Sequence, residues 1–418
     1  MAYDKFKGIS RTHRRVIRRV GLTALAATLV AGAATPGIAA ADAPVGGATV
    51  VAGQDRPELG QAAQEFVDAG FAGLQLRVRD ERGEWVGSAG VRKLGQSAKP
   101  PTNGRFWIAS TTKTFTATLV LQLVAEGKIG LDAPVAGYLP DLGLDKRITV
   151  RMLLQHTSGL FNYTGDVDAD GKWESGIDAG GKEWVGNRFR SYQPEELVRL
   201  ALSRAPRFEP GTSQRYANTN YTLALLLIGK VTGHSYADEM QRRILRPLGL
   251  RGTSVPGNRS QLPGPYAHGY YRYQDADEWK VADVSRQNLS LLAGAGDMIS
   301  TTKDLQTFVS ALMGGKLLPA SLLAEMRKPA GPYNLGLGLW VQDLGPDCGG
   351  IVYQHNGGAP GGYGSLMYSS ADGSRTLTAG VTTGDAPIDP ANAFPTAVDK
   401  LVKQVFCNKQ PNQAKPAQ

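Results

Sequence analysis

A serine and a lysine three residues apart, placed where an apolar run turns into a helix, restrict this chain more than any other stretch. Phe106-Trp107-Ile108-Ala109 leads into Ser110-Thr111-Thr112-Lys113, and the pattern that follows predicts an amphipathic helix over Phe115–Glu126. At helical spacing the two side chains share one face, about one turn apart. A serine hydroxyl needs a base to take its proton, and a lysine is such a base where apolar surroundings lower its pKa. The positive end of the helix dipole favours the developing alkoxide. The same four letters recur at Ser300-Thr301-Thr302-Lys303, followed by Asp304-Leu305. There Thr301 and Asp304 form a capping box opening a helix over Leu305–Leu312, which accounts for the second copy without chemistry.

Partners for the first copy follow in order. Phe208-Glu209-Pro210-Gly211 is a turn signal, and Tyr216-Ala217-Asn218 precedes a helix predicted over Tyr221–Val231, apolar nearly all round and therefore buried. In an extended segment residues two apart face one side, so Tyr216 and Asn218 can point into one cleft. Ile351-Val352-Tyr353 reads as a strand ending at His355-Asn356-Gly357-Gly358, whose glycines let a ligand approach the backbone. His156 and Ser158 are close in sequence, but Gly159 after them reads as a helix C-cap, a structural role. No Gly-x-Ser-x-Gly elbow is present, which argues against an α/β-hydrolase.

With these residues in place the chain resembles the secreted serine DD-peptidases that share a fold with class C β-lactamases. The resemblance runs from about residue 57 to 407 and rests on Ser110-x-x-Lys113, Tyr216-x-Asn218 and His355-x-Gly357, with local matches at Leu154–Leu160, Pro210-Gly211 and Tyr266–Tyr270. It implies a β-lactamase/DD-peptidase-like fold: an α/β lobe with an antiparallel sheet flanked by helices, beside an all-α lobe. It implies catalysis by Ser110, Lys113 and Tyr216 through an acyl-enzyme, with Lys113 near the Tyr216 oxygen lowering its pKa. Asn218, His355, Gly357, Gly358 and Trp340 would line the substrate site, the Ser110 and Gly358 N–H groups would form the oxyanion hole, and no cofactor is needed. The implied activity is that of a D-alanyl-D-alanine carboxypeptidase acting on peptidoglycan peptides. An esterase, amidase or β-lactamase of the same group, or a non-catalytic β-lactam-binding sensor, are the alternatives. Trp340 and Gly358 stand where the DD-peptidases carry an arginine and a threonine for the substrate carboxylate. Substrate choice broader than strict D-Ala-D-Ala cleavage follows, unless Arg215 or Arg188 supplies a cation.

Residues 1–41 read as a secretory signal peptide. Seven cations lie between Lys5 and Arg19, an apolar run spans Val20–Ala34, and small residues close the segment, with cleavage expected after Ala40 or Ala41. Arg14-Arg15 also allows a twin-arginine route. The run is short for a spanning helix, so a secreted protein without a stable membrane anchor is expected. Of the formal net charge of +9, +6 sits in this leader, so the high pI does not point to nucleic acid. The expected partners are small peptide, ester or β-lactam substrates, and the expected state is a monomer. Cys348 and Cys407 are the two cysteines. An exported context and an even count favour a disulfide, and the family resemblance supports it, against the alternative of two free buried thiols.

One catalytic unit is expected over 45–407, with the α/β lobe at about 45–120 and 290–407 and the helical lobe at about 121–290. Strands are expected near 73–80, 84–92, 350–355, 364–370 and 375–382, with helices at 57–68 and 395–406. A Lys/Gln/Pro-rich tail at 408–418 is expected to lack structure. Asp166, Asp168 and Asp170 alternate like the first half of a calcium loop, but Ile177 stands where the bidentate glutamate belongs. A solvated acidic loop is the plainer reading, and no metal is assigned.

Overall fold

The computed structural model describes residues 56–407 apart from Ala169. The expected leader and cleavage site, the start of the expected catalytic unit and the 408–418 tail lie outside the described residues. Helix Pro57–Asp68 is followed by β1 (Phe71–Asp80) and β2 (Gly83–Gly90), and β3 (Phe106–Trp107) runs up to the serine. The middle of the chain is mainly helical. It also carries two hairpins, β4 (Asp166–Val167) with β5 (Trp173–Glu174) and β6 (Tyr270–Asp275) with β7 (Glu278–Asp283). β8 (Ile299–Ser300) then precedes β9 (Trp340–Asp343), β10 (Ile351–Gln354), β11 (Gly357–Gly358), β12 (Tyr363–Ser370) and β13 (Thr376–Thr383), and helix Pro390–Phe406 closes the fold.

Seven strands form one sheet in the order β2-β1-β13-β12-β10-β9, with β11 also on β12, and its pairs are antiparallel. Alternation of side chains sorts its two faces. Leu74, Leu76, Val78, Leu366, Tyr368, Leu377, Ala379 and Val381 point to helices 57–68 and 390–406, where Phe66, Val398, Leu401, Val402 and Val405 complete a core. The opposite face is buried yet polar, with Ser365, Ser369, Thr376, Thr378 and Thr382. A buried hydroxyl needs a partner. Thr378 donates to Thr302 O, Thr376 meets Gln306 of helix Thr302–Met313, and Ser365 donates to Ile108 O. The sheet therefore grips the segment before Ser110 through hydrogen bonds as well as apolar contacts.

Several expected elements change on folding. The helix after Ser110 runs Thr112–Ala125 and is not amphipathic: all residues from Thr112 to Leu121 are buried, because it passes through the middle of the main core. The helix after Asn218 begins at Asn218 itself, and the last helix begins at Pro390 with Pro395 inside it. Half of the capping box forms. Thr301 Oγ1 accepts from Asp304 N, but the Asp304 carboxylate turns away to accept from Gly252 N and Thr253 Oγ1.

Cys348 and Cys407 are bonded, tying the turn after β9 to the end of the last helix. No helix among the described residues is long and apolar enough to cross a membrane. Closing a loop of 59 residues removes chain entropy worth about 4 kcal/mol in the loop-closure estimate. Cys407→Ser is expected to lower unfolding free energy by about that amount in urea titration; an unchanged midpoint would show that the bridge does not constrain the unfolded chain.

Candidate active site

Ser110 sits in a single 3₁₀ turn, Ala109–Thr111, between β3 and the buried helix. Ala109 has φ +46°, a left-handed conformation that costs a non-glycine residue about 1–2 kcal/mol. The strain is held by pairing on both sides. Phe106 and Trp107 pair with Ser300 and Ile299, Ile108 N donates to Met298 O, and Thr111 Oγ1 donates to His355 O. Ser300, the serine of the second copy, is thus a buried strand residue bonded to Thr253 and backing the strand that delivers Ser110.

Lys113 is fully buried, and its Nζ lies 2.8 Å from Asn218 Oδ1, 2.8 Å from Ala295 O and 3.3 Å from Ser110 Oγ. Burial pushes its pKa well below the ordinary lysine value, while the Asp297 carboxylate pulls the other way. A neutral amine has two N–H groups and one lone pair. Charged, Nζ donates to all three oxygens; once neutral, its two N–H groups can stay on Asn218 and Ala295, which leaves the lone pair for the Ser110 proton.

Tyr216 corrects the sequence expectation. Lys113 Nζ lies over its ring, 4.6 Å from the centroid, and not on its oxygen. Burial of the hydroxyl raises its pKa, opposed in part by the Ser110 side chain. That hydroxyl has no hydrogen-bond partner of ordinary geometry among the described residues. Burial thus favours the neutral phenol over the phenolate, with a proton to give. Its ring is held between His156, at 4.3 Å, and Trp340, at 6.0 Å.

His156 is the residue that sequence reasoning underrated. Helix Val150–Leu154 ends in a Schellman motif, with His156 N bonded to Leu153 O and Thr157 N to Met152 O. The left-handed position of this motif, φ +58°, belongs to His156; Gly159 is also left-handed, at φ +77°, but lies three residues farther on and is not the cap. Glycine at 159 has another cause: a Cβ there would meet Phe208 O at 2.1 Å. His156 Nδ1 accepts from Ala217 N at 3.2 Å and faces Asn220 Nδ2 at 3.0 Å, so the ring is neutral, and burial depresses its pKa further. Asn162, also unforeseen, accepts from Asn218 N and fixes the first turn of that helix. The only sequence signal for these roles is the short run of small and polar residues after Leu154.

The opposite wall comes from the sheet. His355 is buried with Nδ1 donating to Asn356 O at 2.8 Å; burial and the Lys113 charge depress its pKa to about 3, so it is neutral. Trp340 packs edge-on against it at 4.5 Å. Gly357 lets β11 close on the serine, since a Cβ there would fall 2.2 Å from Ile108 O and 3.0 Å from Ser110 N. His355 N and Ala359 N donate to β12, so by strand alternation the Gly358 N–H points away from it. The Ser110 N–H donates to no acceptor among the described residues. Two free donors beside one serine suit an oxyanion.

The remaining candidates are engaged elsewhere. Arg215 bonds Asp166 and Val167 O, and Arg188 donates to Val185 O and covers Phe189. Asp168 closes the β4–β5 turn on Asp170 N and Lys172 N. The three aspartates do not converge, and no group of three metal-ligating side chains occurs among the described residues.

Comparison with known proteins finds similarity over most of the described residues. The family model described as Beta-lactamase matches residues 59–404. Penicillin-binding protein 4* of Bacillus subtilis (strain 168) is 31% identical over 302 residues, which cover 69% of this chain and 63% of that protein. The chain thus spans less than two thirds of that relative. A D-stereospecific amidohydrolase from Streptomyces sp. superposes with a TM-score of 0.74 at 38% identity, covering 85% of this chain and 100% of that one. The D-amino acid amidase of Ochrobactrum anthropi SV3, complexed with L-phenylalanine amide, gives 0.69 at 26%, covering 84% and 97%.

His156→Asn tests the support of Tyr216. Asparagine tolerates left-handed backbone and keeps an acceptor for Ala217 N–H, but it removes the ring under Tyr216. The melting temperature is expected to fall by only about 5 °C, while acylation of Ser110 by an aryl ester slows by about ten- to a hundredfold. An unchanged rate would show that Tyr216 does not depend on this ring.

Proposed function

Because the chain belongs to the Beta-lactamase family of serine hydrolases, we propose that it is an acyl-serine amidohydrolase cleaving amides, esters or short peptides of D-amino acids. The observation that carries this reading is the buried Lys113, bonded to Asn218 and Ala295 with its third contact, at 3.3 Å, on Ser110 Oγ. Ser110 Oγ attacks the carbonyl and its proton passes to Lys113 Nζ. The oxyanion is received by the Ser110 and Gly358 N–H groups. Tyr216 gives its proton to the departing amine or alcohol and regains one from Lys113. Water then cleaves the acyl-enzyme and the same groups move its proton in reverse. A β-lactam presents a similar carbonyl and is expected to acylate Ser110. Export is proposed on the composition of the leader and on the Cys348–Cys407 bridge.

The wall opposite Tyr216 is aromatic. Among the described residues, no arginine makes a hydrogen bond, ion pair or cation–π contact with Tyr216, Trp340 or His355. A free carboxylate on the leaving group therefore meets apolar surface and a neutral histidine. This favours amides and esters over a strict D-alanyl-D-alanine carboxypeptidase, and the amidohydrolase similarities point the same way. The carboxypeptidase reading is kept by the order of the three motifs and by the similarity to penicillin-binding protein 4*.

Measurement of kcat/KM on a D-Ala-D-Ala peptide, its C-terminal amide, a D-amino acid amide and an aryl ester separates the two. A lost charge-assisted contact is worth about 1.5–3 kcal/mol per hydrogen bond, so the free acid is expected to have less than about tenfold advantage over the amide. A hundredfold preference for the acid would establish the carboxypeptidase instead. Ser110→Ala is expected to abolish turnover and Ser300→Ala to retain it, and mass mapping of a fluorophosphonate adduct on Ser300 would overturn the assignment.

A further inference from the structure

Asp297 belongs to none of the three motifs, yet it lies 3% exposed in the loop that strapped the lysine helix into place. Residues 293–298 present three successive carbonyls to three different side chains. Ala293 O accepts from Thr222, Gly294 O from Thr116 and Ala295 O from Lys113. Met298 N donates to Thr112 Oγ1, and Ile108 N donates to Met298 O, so the same loop also holds the strand before Ser110. Asp297 Oδ1 accepts from Gly294 N at 3.2 Å and closes the loop on itself. Gly294 has φ +72°, and a Cβ on it would meet Tyr221 O at 2.8 Å and Leu225 Cβ at 2.7 Å, so the loop has little freedom to relax.

We propose that Asp297 is a positioning residue for Lys113: it locks the loop that offers Ala295 O to the amine, and its buried negative charge sets how readily that amine holds a proton. The inference rests on the reading of Ser110 and Lys113 as nucleophile and base. A buried carboxylate that neither meets water nor forms a direct ion pair is costly, and its two backbone donors only partly offset that cost. Burial raises its pKa to about 7, while the charge on Lys113 lowers it. The effect is mutual, since Asp297 in turn raises the pKa of Lys113. The two therefore titrate as a pair. The other groups facing Lys113 are His156 and His355, both neutral, and the rings of Tyr216 and Tyr221. Those facing Asp297 are the hydroxyls of Tyr163 and Tyr236, each with its pKa raised by burial and, further, by Asp297. None of these carries a charge near neutral pH, so the amine and the carboxylate dominate each other's field.

The sign of the effect follows. Only the neutral amine can take the Ser110 proton, so acylation is lost on the acid side as Lys113 gains a proton. Without the Asp297 charge the amine releases its proton at lower pH, and the acid limb moves down. Asp297→Asn keeps an acceptor for Gly294 N–H and removes the charge, and Asp297→Ser is a second uncharged variant with a hydroxyl acceptor. The rate of acylation by an aryl ester is followed between about pH 5 and pH 9, with the Ser110 adduct identified by mass. The acid limb is expected about one to two pH units lower in either variant. A lower rate at every pH with the limb unmoved would mean a purely structural role and would overturn the inference while leaving the serine mechanism intact. Failure of both uncharged variants to fold would overturn it too, since the residue would then hold the fold rather than the lysine. Absence of a Ser110 adduct in the unaltered protein would overturn the proposed function, and this inference with it.

Discussion

Keeping an amine dry is the constraint on which the rest of this molecule depends. A lysine fully removed from water gives up its proton far more easily than one at the surface, but it survives burial only where its own donors are satisfied. Asn218 and Ala295 do this, and each is itself held by a layer behind it: Asn162 at the start of the Asn218 helix, and the 293–298 loop behind Ala295. The helix bearing Lys113 is buried on all sides for the same reason. A helix with one wet face would bring water within reach of the amine.

The three motifs were legible because each is short and its residues are coupled through the backbone. Ser110 and Lys113 are one helical turn apart, and Tyr216 and Asn218 flank a helix start. Gly357 is required wherever a strand closes on Ser110 N. The sheet with both ends of the chain in it was legible from the alternating strands. What was hidden depends on contacts between distant segments. The amphipathic pattern after Phe115 was misjudged because the polar residues Thr116 and Thr118 satisfy their hydroxyls on backbone carbonyls and pass as core. The protonation of Tyr216 was misjudged because a sequence gives proximity to Lys113 but not which part of the ring the amine faces. Gly159 looked like a cap because glycine is the usual left-handed residue, and nothing local says that His156 takes that position.

Two non-glycine residues beside the cleft, Ala109 and His156, hold left-handed backbone. One precedes the serine and the other carries the ring beneath Tyr216. Strain of this kind persists only where the surroundings over-determine the geometry. Here they do, through β3–β8 pairing at Ala109 and through Ala217 and Asn220 at His156. The energy is modest, and it fixes two functional groups that come from separate parts of the chain.

The pairing of β1 with β13 bears on when the protein can become active. Leu76 meets Ala379 across the sheet, some 300 residues later in the chain. Until the last strands exist, the β1–β2 hairpin has one edge without a neighbour and Ser110 lacks the wall that carries Gly357 and Gly358. Contacts so far apart in sequence make for slow folding. An unfinished chain thus carries the serine and lysine with no wall around them, and the site is complete only when the final quarter of the polypeptide has docked.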